Sequence, residues 1–396
     1  MSTDTTTVVL IIGGGLGGLA LAQLLLQSSS TIKVLIFERD EHEYSREQGY
    51  CIGIDPSGLD VLNKIRVLDD LLSENSSGYC NLSFFRIVNK YLHKLFQFNA
   101  RGTKLIYRND LRRALLINLD VQWNKRFVSY EVVDDGIEAH FEDGTTVHGT
   151  ILIACDGSKS AVRAQLMPDF QRNDIHVLNI GGTTERTADD FRKIVELTKD
   201  SLVRICGGQG HTLLILPVRQ LFMWALSWPE SGTTEDIHLT SIQLIDKARR
   251  YFKDEEIVRL IEHTSPSSTI GPYRLYSAPC LKQNPFPNHP RITFLGDAAH
   301  PMTTHGGKGA NTAFADAFDL ANLLLNPSSS TLTQYEEKMF QRGYAAVKMS
   351  LTSTQMIHSV GWRALLRDCI FSLICYTMTL INFVSIPFSW FGKKRD

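Results

Sequence analysis

Residues 13–18 read Gly-Gly-Gly-Leu-Gly-Gly. Glycine at the first, third and sixth of these positions suits a chain that must bend tightly and admit an anion to its backbone. Gly13 would make the turn, Gly15 would leave room for a pyrophosphate, and Gly18 would let a helix pack closely on a strand. The first turn of a helix offers unpaired N–H groups to the same anion. Glu38 follows Gly18 by 20 residues, where a carboxylate can accept hydrogen bonds from ribose hydroxyls. This is the chemistry of holding a dinucleotide. An acid rather than an arginine at that point favours an unphosphorylated ribose, hence FAD or NAD over NADP. Arg39 reads either as a cation along an adenine or as a solvated surface charge.

Further along the chain, residues 295–312 read LGDAAHPMTTHGGKGANT. An aspartate at a strand end, followed by a helix start, can pair with a sugar-like hydroxyl chain. His300 and His305 read equally well as structural hydrogen-bonders or as proton handlers, so neither is assigned to catalysis. Residues 155–163 (CDGSKSAVR) and 107–112 (YRNDLR) are two more polar clusters beside apolar runs.

The elements that must position these residues are legible in the apolar pattern. Residues 7–12, 32–37, 150–154 and 291–295 read as buried strands, and a helix pattern follows the glycines. Strand, glycine turn, helix and second strand form a β-α-β unit. Residues 127–148 read as a hairpin and 105–120 as helical. From about residue 175 to 279 the pattern becomes strand-like, at 176–180, 202–206, 212–218 and 221–228, with a helical stretch near 241–262. Long helix patterns close the chain from residue 308. The expected fold is α/β. A Rossmann-like dinucleotide domain (1–174 and 280–355) carries an inserted sheet-rich substrate domain (175–279), C-terminal helices and a hydrophobic tail (356–396).

In this order and context the four segments resemble those of the FAD-dependent class A flavoprotein monooxygenases, the salicylate-hydroxylase-like aromatic hydroxylases, over roughly residues 7–350. The resemblance implies FAD as cofactor and NAD(P)H and O₂ as co-substrates. It implies that Asp297 holds the ribityl chain and that Gly307, Gly309, Ala310 and Asn311 start the helix facing the isoalloxazine. It places Asp156 and Arg163 near the pyrophosphate and the nicotinamide cofactor, and Arg108 against the flavin. It further implies that a C4a-hydroperoxyflavin hydroxylates or epoxidises a small hydrophobic or aromatic substrate. The segment departs from the family pattern at Met302–His305 and at Lys308, beside the expected flavin ring. A flavin dehydrogenase or reductase on the same fold, and a non-catalytic membrane-associated relic, are the rival readings.

Substrate-lining residues are expected on the inserted sheet, at Leu214, Leu216, Phe222, Trp224 and Leu226; alternation puts the last three on one face. Arg204 and Arg219 read either as partners for an anionic substrate or as structural charges. Composition excludes several other classes. Lys plus Arg is 41 and Asp plus Glu is 42, so the basic excess of a nucleic-acid binder is missing. Seven scattered cysteines without a C-x-x-C pair point to reduced thiols in an intracellular compartment, not to a zinc ribbon or a disulfide scaffold. Neither a metal centre nor a nucleophilic triad is expected. No basic residue precedes the apolar run at 8–26, so a secretory leader is not expected there. Residues 369–391 form an uncharged run of 23 residues with Lys393, Lys394 and Arg395 beyond it. That length is near the limit for a membrane span, and membrane contact is one expectation for it.

Overall fold

Thr7–Ile12 forms a strand whose last four residues are buried, as a strand covered on both faces must be. In the computed structural model of the chain it is the central strand of five. The structure describes residues 7–28, 31–45, 50–73, 78–186, 190–232, 239–264, 268–327 and 331–385, with side chains as far as Thr377. The five strands are parallel, and their order in space is 292–294, 151–154, 7–12, 32–37 and 121–122. Helix Leu16–Ser28 follows the first strand through the glycine turn. The turn therefore sits at the carboxyl end of the sheet, where open α/β sheets bind ligands.

The chain divides into two compact units. The first comprises Met1–Cys80, Thr103–Ile175 and Leu275–Thr354. Besides the parallel sheet it holds a small antiparallel sheet, Phe127–Val133, Gly136–Phe141 and Thr146–Gly149. Helix Gly309–Leu325 and strand Cys51–Ile54 also belong to it, the strand pairing with Lys104–Tyr107.

The second unit comprises Asn81–Gly102, His176–Arg274 and Gln355–Asp396. Five successive strands of its sheet lie in the order Asn173–Glu185, Leu221–Pro229, Thr212–Val218, Ser201–Cys206 and Tyr79–Asn89. All pairs are antiparallel except the last. One face of this sheet is filled by Val203, Ile205, Leu213, Ile215, Phe222, Trp224 and Leu226, clustered with Leu244, Ala248, Ile257 and Leu260 of two helices. Those helices start cleanly. Thr240 and Gln243 form a capping box before Ser241–Tyr251, and the Asp254 carboxylate caps Glu255–Glu262. The strands Tyr79–Asn89 and Lys94–Tyr107 were not among the elements read from the sequence.

Helix Trp362–Ser385 also belongs to the second unit. Its Phe371 stacks on Phe96 at 5.4 Å, and its Arg367 reaches the carbonyls of Met356 and Ile357. Among the described residues no helix is long and apolar enough to cross a membrane. A full span by residues 369–391 is therefore not supported. Residues 386–391 and the basic residues after them lie outside the described residues.

Candidate cofactor site and substrate wall

The glycine turn divides its labour as the spacing implies. Gly13 has φ +112°, and a Cβ there would collide with the Cys155 carbonyl. At Gly18 a Cβ would collide with the Gly13 carbonyl. These two glycines let strand, turn and helix close on one another. At Gly15, by contrast, a Cβ would meet nothing within 4 Å, so the turn faces open space there.

That space is a cavity of about 310 Å³. Gly13–Gly15, Phe37, Cys155, Gly157 and Ala161 form part of its lining. Arg39, Arg108, Arg112, Lys125, Arg126 and Lys159 also line it, against the acids Glu38, Asp40 and Asp156. Six cations facing three carboxylates suit a ligand with several negative charges. The Glu38 carboxylate accepts from Gly14 N at 2.8 Å and from Asp40 N at 3.0 Å. Each oxygen keeps a lone pair for a hydroxyl donor.

Asp156 is held by the start of helix Ala161–Leu166. Its Oδ2 accepts from Ala161 N at 2.7 Å, while its Oδ1 is buried with no partner. Burial pushes this carboxyl up, against the hydrogen bonds that lower it. Arg163 does not line the cavity. It is 4% exposed, and its guanidinium donates to the carbonyls of Ser158 and Ala298 at 2.5 Å and of Asp297 at 3.3 Å. The sequence reading set Arg163 beside a nicotinamide cofactor; here its guanidinium turns to backbone carbonyls and ties the Asp156 turn to the Asp297 turn.

The Asp297 turn is braced from behind. Asp316 is fully buried and accepts from Gly296 N at 3.1 Å, from His300 Nε2 at 2.7 Å and from Arg342 at 2.8 Å. Burial works to raise the Asp316 carboxyl, but His300 and Arg342 bring it below its usual value. His300, likewise fully buried, is raised by Asp316 against the effect of burial. His300 is thus a structural ion-pair partner, and His305 bonds to Thr354 Oγ1 at 3.0 Å. The Asp297 side chain is exposed, and among the described residues nothing donates to its carboxylate. Protein crowds it on other sides and raises its carboxyl, while His300, Arg163 and Arg108 pull it back.

Gly307 adopts the left-handed conformation, φ 62°, before helix Gly309–Leu325. The Gly309 Cα faces Asp297, whose Oδ1 lies 4.0 Å from where a Cβ would stand. Ala310 is partly exposed. Asn311 plays a different part from the one expected. It is 4% exposed, donates to the carbonyls of Gly53 and Gly307, and accepts from Asp55 N at 3.0 Å. Its amide fastens strand Cys51–Ile54 to the helix start. Lys308 closes the same joint on Asp55 at 2.7 Å.

In the second unit, three of the expected substrate-lining residues, Phe222, Trp224 and Leu226, are core. Phe222 and Trp224 are 0% and 1% exposed on the helix-backed face, where the Trp224 indole donates to Thr264 Oγ1 at 2.9 Å. Leu226 is buried with them. Alternation was right that they share a face but did not say which. Leu214 and Leu216 pair with Ala225 and Met223, on the opposite face. Arg219 is exposed in the turn between the strands, while Arg204 is buried in mid-strand.

Sequence reasoning missed Arg112, which donates to the Gly14 carbonyl at 3.0 Å and to the Glu43 carbonyl at 2.9 Å. It also missed Lys125, Arg126 and Lys159. Arg112 lies four residues after Arg108, one helical turn away, and that spacing was the available signal. The features that would take FAD are the open space at Gly15, the orphaned Asp156 Oδ1 and the unpaired Asp297 carboxylate.

Residues 6–350 match the FAD binding domain family. The FAD-dependent monooxygenase thnD of Trichoderma harzianum is 27% identical over 385 residues, spanning 86% of this chain and 91% of that protein. Among solved structures, Klebsiella pneumoniae HpxO complexed with FAD and uric acid has a TM-score of 0.76 at 22% identity, covering 96% of this chain and 99% of that one. A salicylate hydroxylase substrate complex has a TM-score of 0.74 at 18% identity, covering 96% of each chain. At these identities the solved structures speak for the fold alone.

Proposed function

Because the chain belongs to the FAD binding domain family, the fold of the class A flavoprotein monooxygenases, we propose that it uses NAD(P)H and O₂ to oxygenate a hydrophobic, aromatic small molecule. The chemistry such a cofactor supplies is acceptance of a hydride from a nicotinamide and activation of O₂ for transfer of one oxygen atom. The chain's own residues bind and orient. Backbone N–H groups after Gly15 and the cationic side chains around the cavity hold the pyrophosphate. Glu38 accepts from the ribose, and Asp156 Oδ1 and Asp297 accept from hydroxyls of the linking chain. The positive end of helix Gly309–Leu325 favours negative charge on the ring beside it.

The observation that carries this reading is the cation-lined cavity at an open glycine, with a carboxylate orphaned inside it. Purified protein should be yellow and should consume O₂ with NADH or NADPH only when a substrate is added. Under ¹⁸O₂ the product should gain one labelled oxygen. Nicotinamide oxidation that leaves the product unlabelled would assign the chain to the reductases instead.

A further inference from the structure

Helix Trp362–Ser385 is turned inside out. A helix on a water-facing surface buries its apolar side and shows its charges. Here Trp362, Leu365, Leu366, Ile370, Leu373 and Tyr376 are all exposed, Leu365 at 69% and Leu373 at 64%. Spacing of three and four residues sets them in one row, roughly 21 Å long. The only charged residues from 364 to 377 are Arg367 and Asp368, and both lie on the other side. Arg367 is buried; it donates to the Asp368 carboxylate at 2.7 Å and to the carbonyls of Met356 and Ile357. Phe371, one turn on, is buried with Phe96 against it. The protein therefore answers the charged side of the helix and leaves the apolar side bare.

Scattered exposed apolar residues are ordinary, but a contiguous row without a charge marks a surface that is covered in use. The flanking sequence says by what. Residues 378–391 remain uncharged and end in Trp390 and Phe391, with Lys393, Lys394 and Arg395 just beyond. Arg363 stands at the other end, over the Trp362 ring at 5.6 Å. Aromatic residues at the rims of an apolar stretch, with cations outside them, suit the boundary between acyl chains and headgroups. Two copies of the row packed together, in either direction, would set these cations against one another. An anionic lipid surface would be held by them. Among the described residues no helix is long and apolar enough to cross a membrane, so the row would lie along the surface.

We infer that the outward row of helix Trp362–Ser385 docks the protein on an anionic lipid surface, lying in its interface rather than spanning it. This goes beyond the oxygenase reading and does not rest on it.

The test is flotation of the full-length, FAD-loaded protein with vesicles of phosphatidylcholine, alone or mixed with phosphatidylserine. Wild type should float with the mixed vesicles and bind them about 10- to 100-fold more tightly than phosphatidylcholine alone, as several cations near the headgroups allow. Leu365→Glu with Leu373→Glu should weaken binding to both vesicle types by at least about tenfold. The pair should keep the flavin content and unfolding midpoint of wild type, because both side chains face water. Leu365→Ala with Leu373→Ala carries the test if the glutamates disturb folding. Lys393→Gln, Lys394→Gln and Arg395→Gln together should lose most of the preference for phosphatidylserine. Wild type that floats with neither vesicle or binds both equally, unaltered binding in the Leu365 and Leu373 variants, or full preference in the triple variant would overturn the inference. A dimer in sedimentation velocity that Leu365→Glu with Leu373→Glu splits, while flotation is unchanged, would overturn it too and give the row to a second copy of the chain.

Discussion

Arg163 in the first unit and Arg204 in the second are equally hidden, at 4% and 5% exposed, yet they use their donors in opposite ways. Arg163 donates to three backbone carbonyls and stacks over Phe170 at 4.6 Å. Arg204 makes no such bond among the described residues. A satisfied buried cation is part of the scaffold, whereas one without protein partners carries a desolvation cost. The same contrast divides two acids of the first unit. Asp316 is met by His300, Arg342 and a backbone N–H, and its carboxyl is lowered. Glu336 accepts from the Thr293 hydroxyl at 2.9 Å, its Oε2 is buried without a partner, and burial raises it to about 7.

The contrast is broken most severely at Arg163. Arg163→Met strips three carbonyls and the link between two turns, and it should cost about 3–5 kcal/mol. Chemical denaturation would measure this, and a loss below about 1 kcal/mol would mean that the clamp is not structural.

A turn open to ligand should behave differently from one closed on protein. Gly15→Val should leave the unfolding midpoint nearly unchanged but weaken FAD binding by at least about a hundredfold, close to 3 kcal/mol. Equilibrium dialysis of FAD against the folded variant is the check. Stoichiometric flavin in Gly15→Val would refute the assignment of the cavity.

Glu336 sharpens the comparison through pH. Between its ordinary value of 4.5 and about 7, the folded protein keeps a proton that the unfolded chain has released. Stability therefore falls as pH rises through that window. Glu336→Gln should raise stability at pH 8 by up to about 3 kcal/mol and make no difference at pH 4. Unfolding curves at the two pH values decide it.

The smallest expected effect has the opposite sign to that of Arg163. Removing an unbalanced charge, Arg204→Met should raise stability by about 1 kcal/mol in the absence of substrate. A loss of several kcal/mol would show that Arg204 is braced as Arg163 is.

Much of the cofactor unit was legible because its signals are local. The Gly13, Gly15 and Gly18 turn, the strand before it, the helix after it and Glu38 follow from spacing along one short stretch of chain. The Asp297 turn was visible for the same reason. What each polar side chain does was not local. Arg163 and Asn311 looked like ligand contacts, but their partners lie as far as 135 and 258 residues away. The sheet teaches the same limit. Alternation put Phe222, Trp224 and Leu226 on one side, because side chains in a strand point to opposite faces in turn. Which side met the helices depended on where Ser241–Tyr251 and Glu255–Glu262 packed, and no periodicity within the strand records that. The sequence by itself determined a dinucleotide turn and a family of folds, since backbone geometry and glycine placement are written in neighbouring residues. Tertiary structure alone decided which buried charges are answered by protein and which are not, since that depends on partners that only folding brings together.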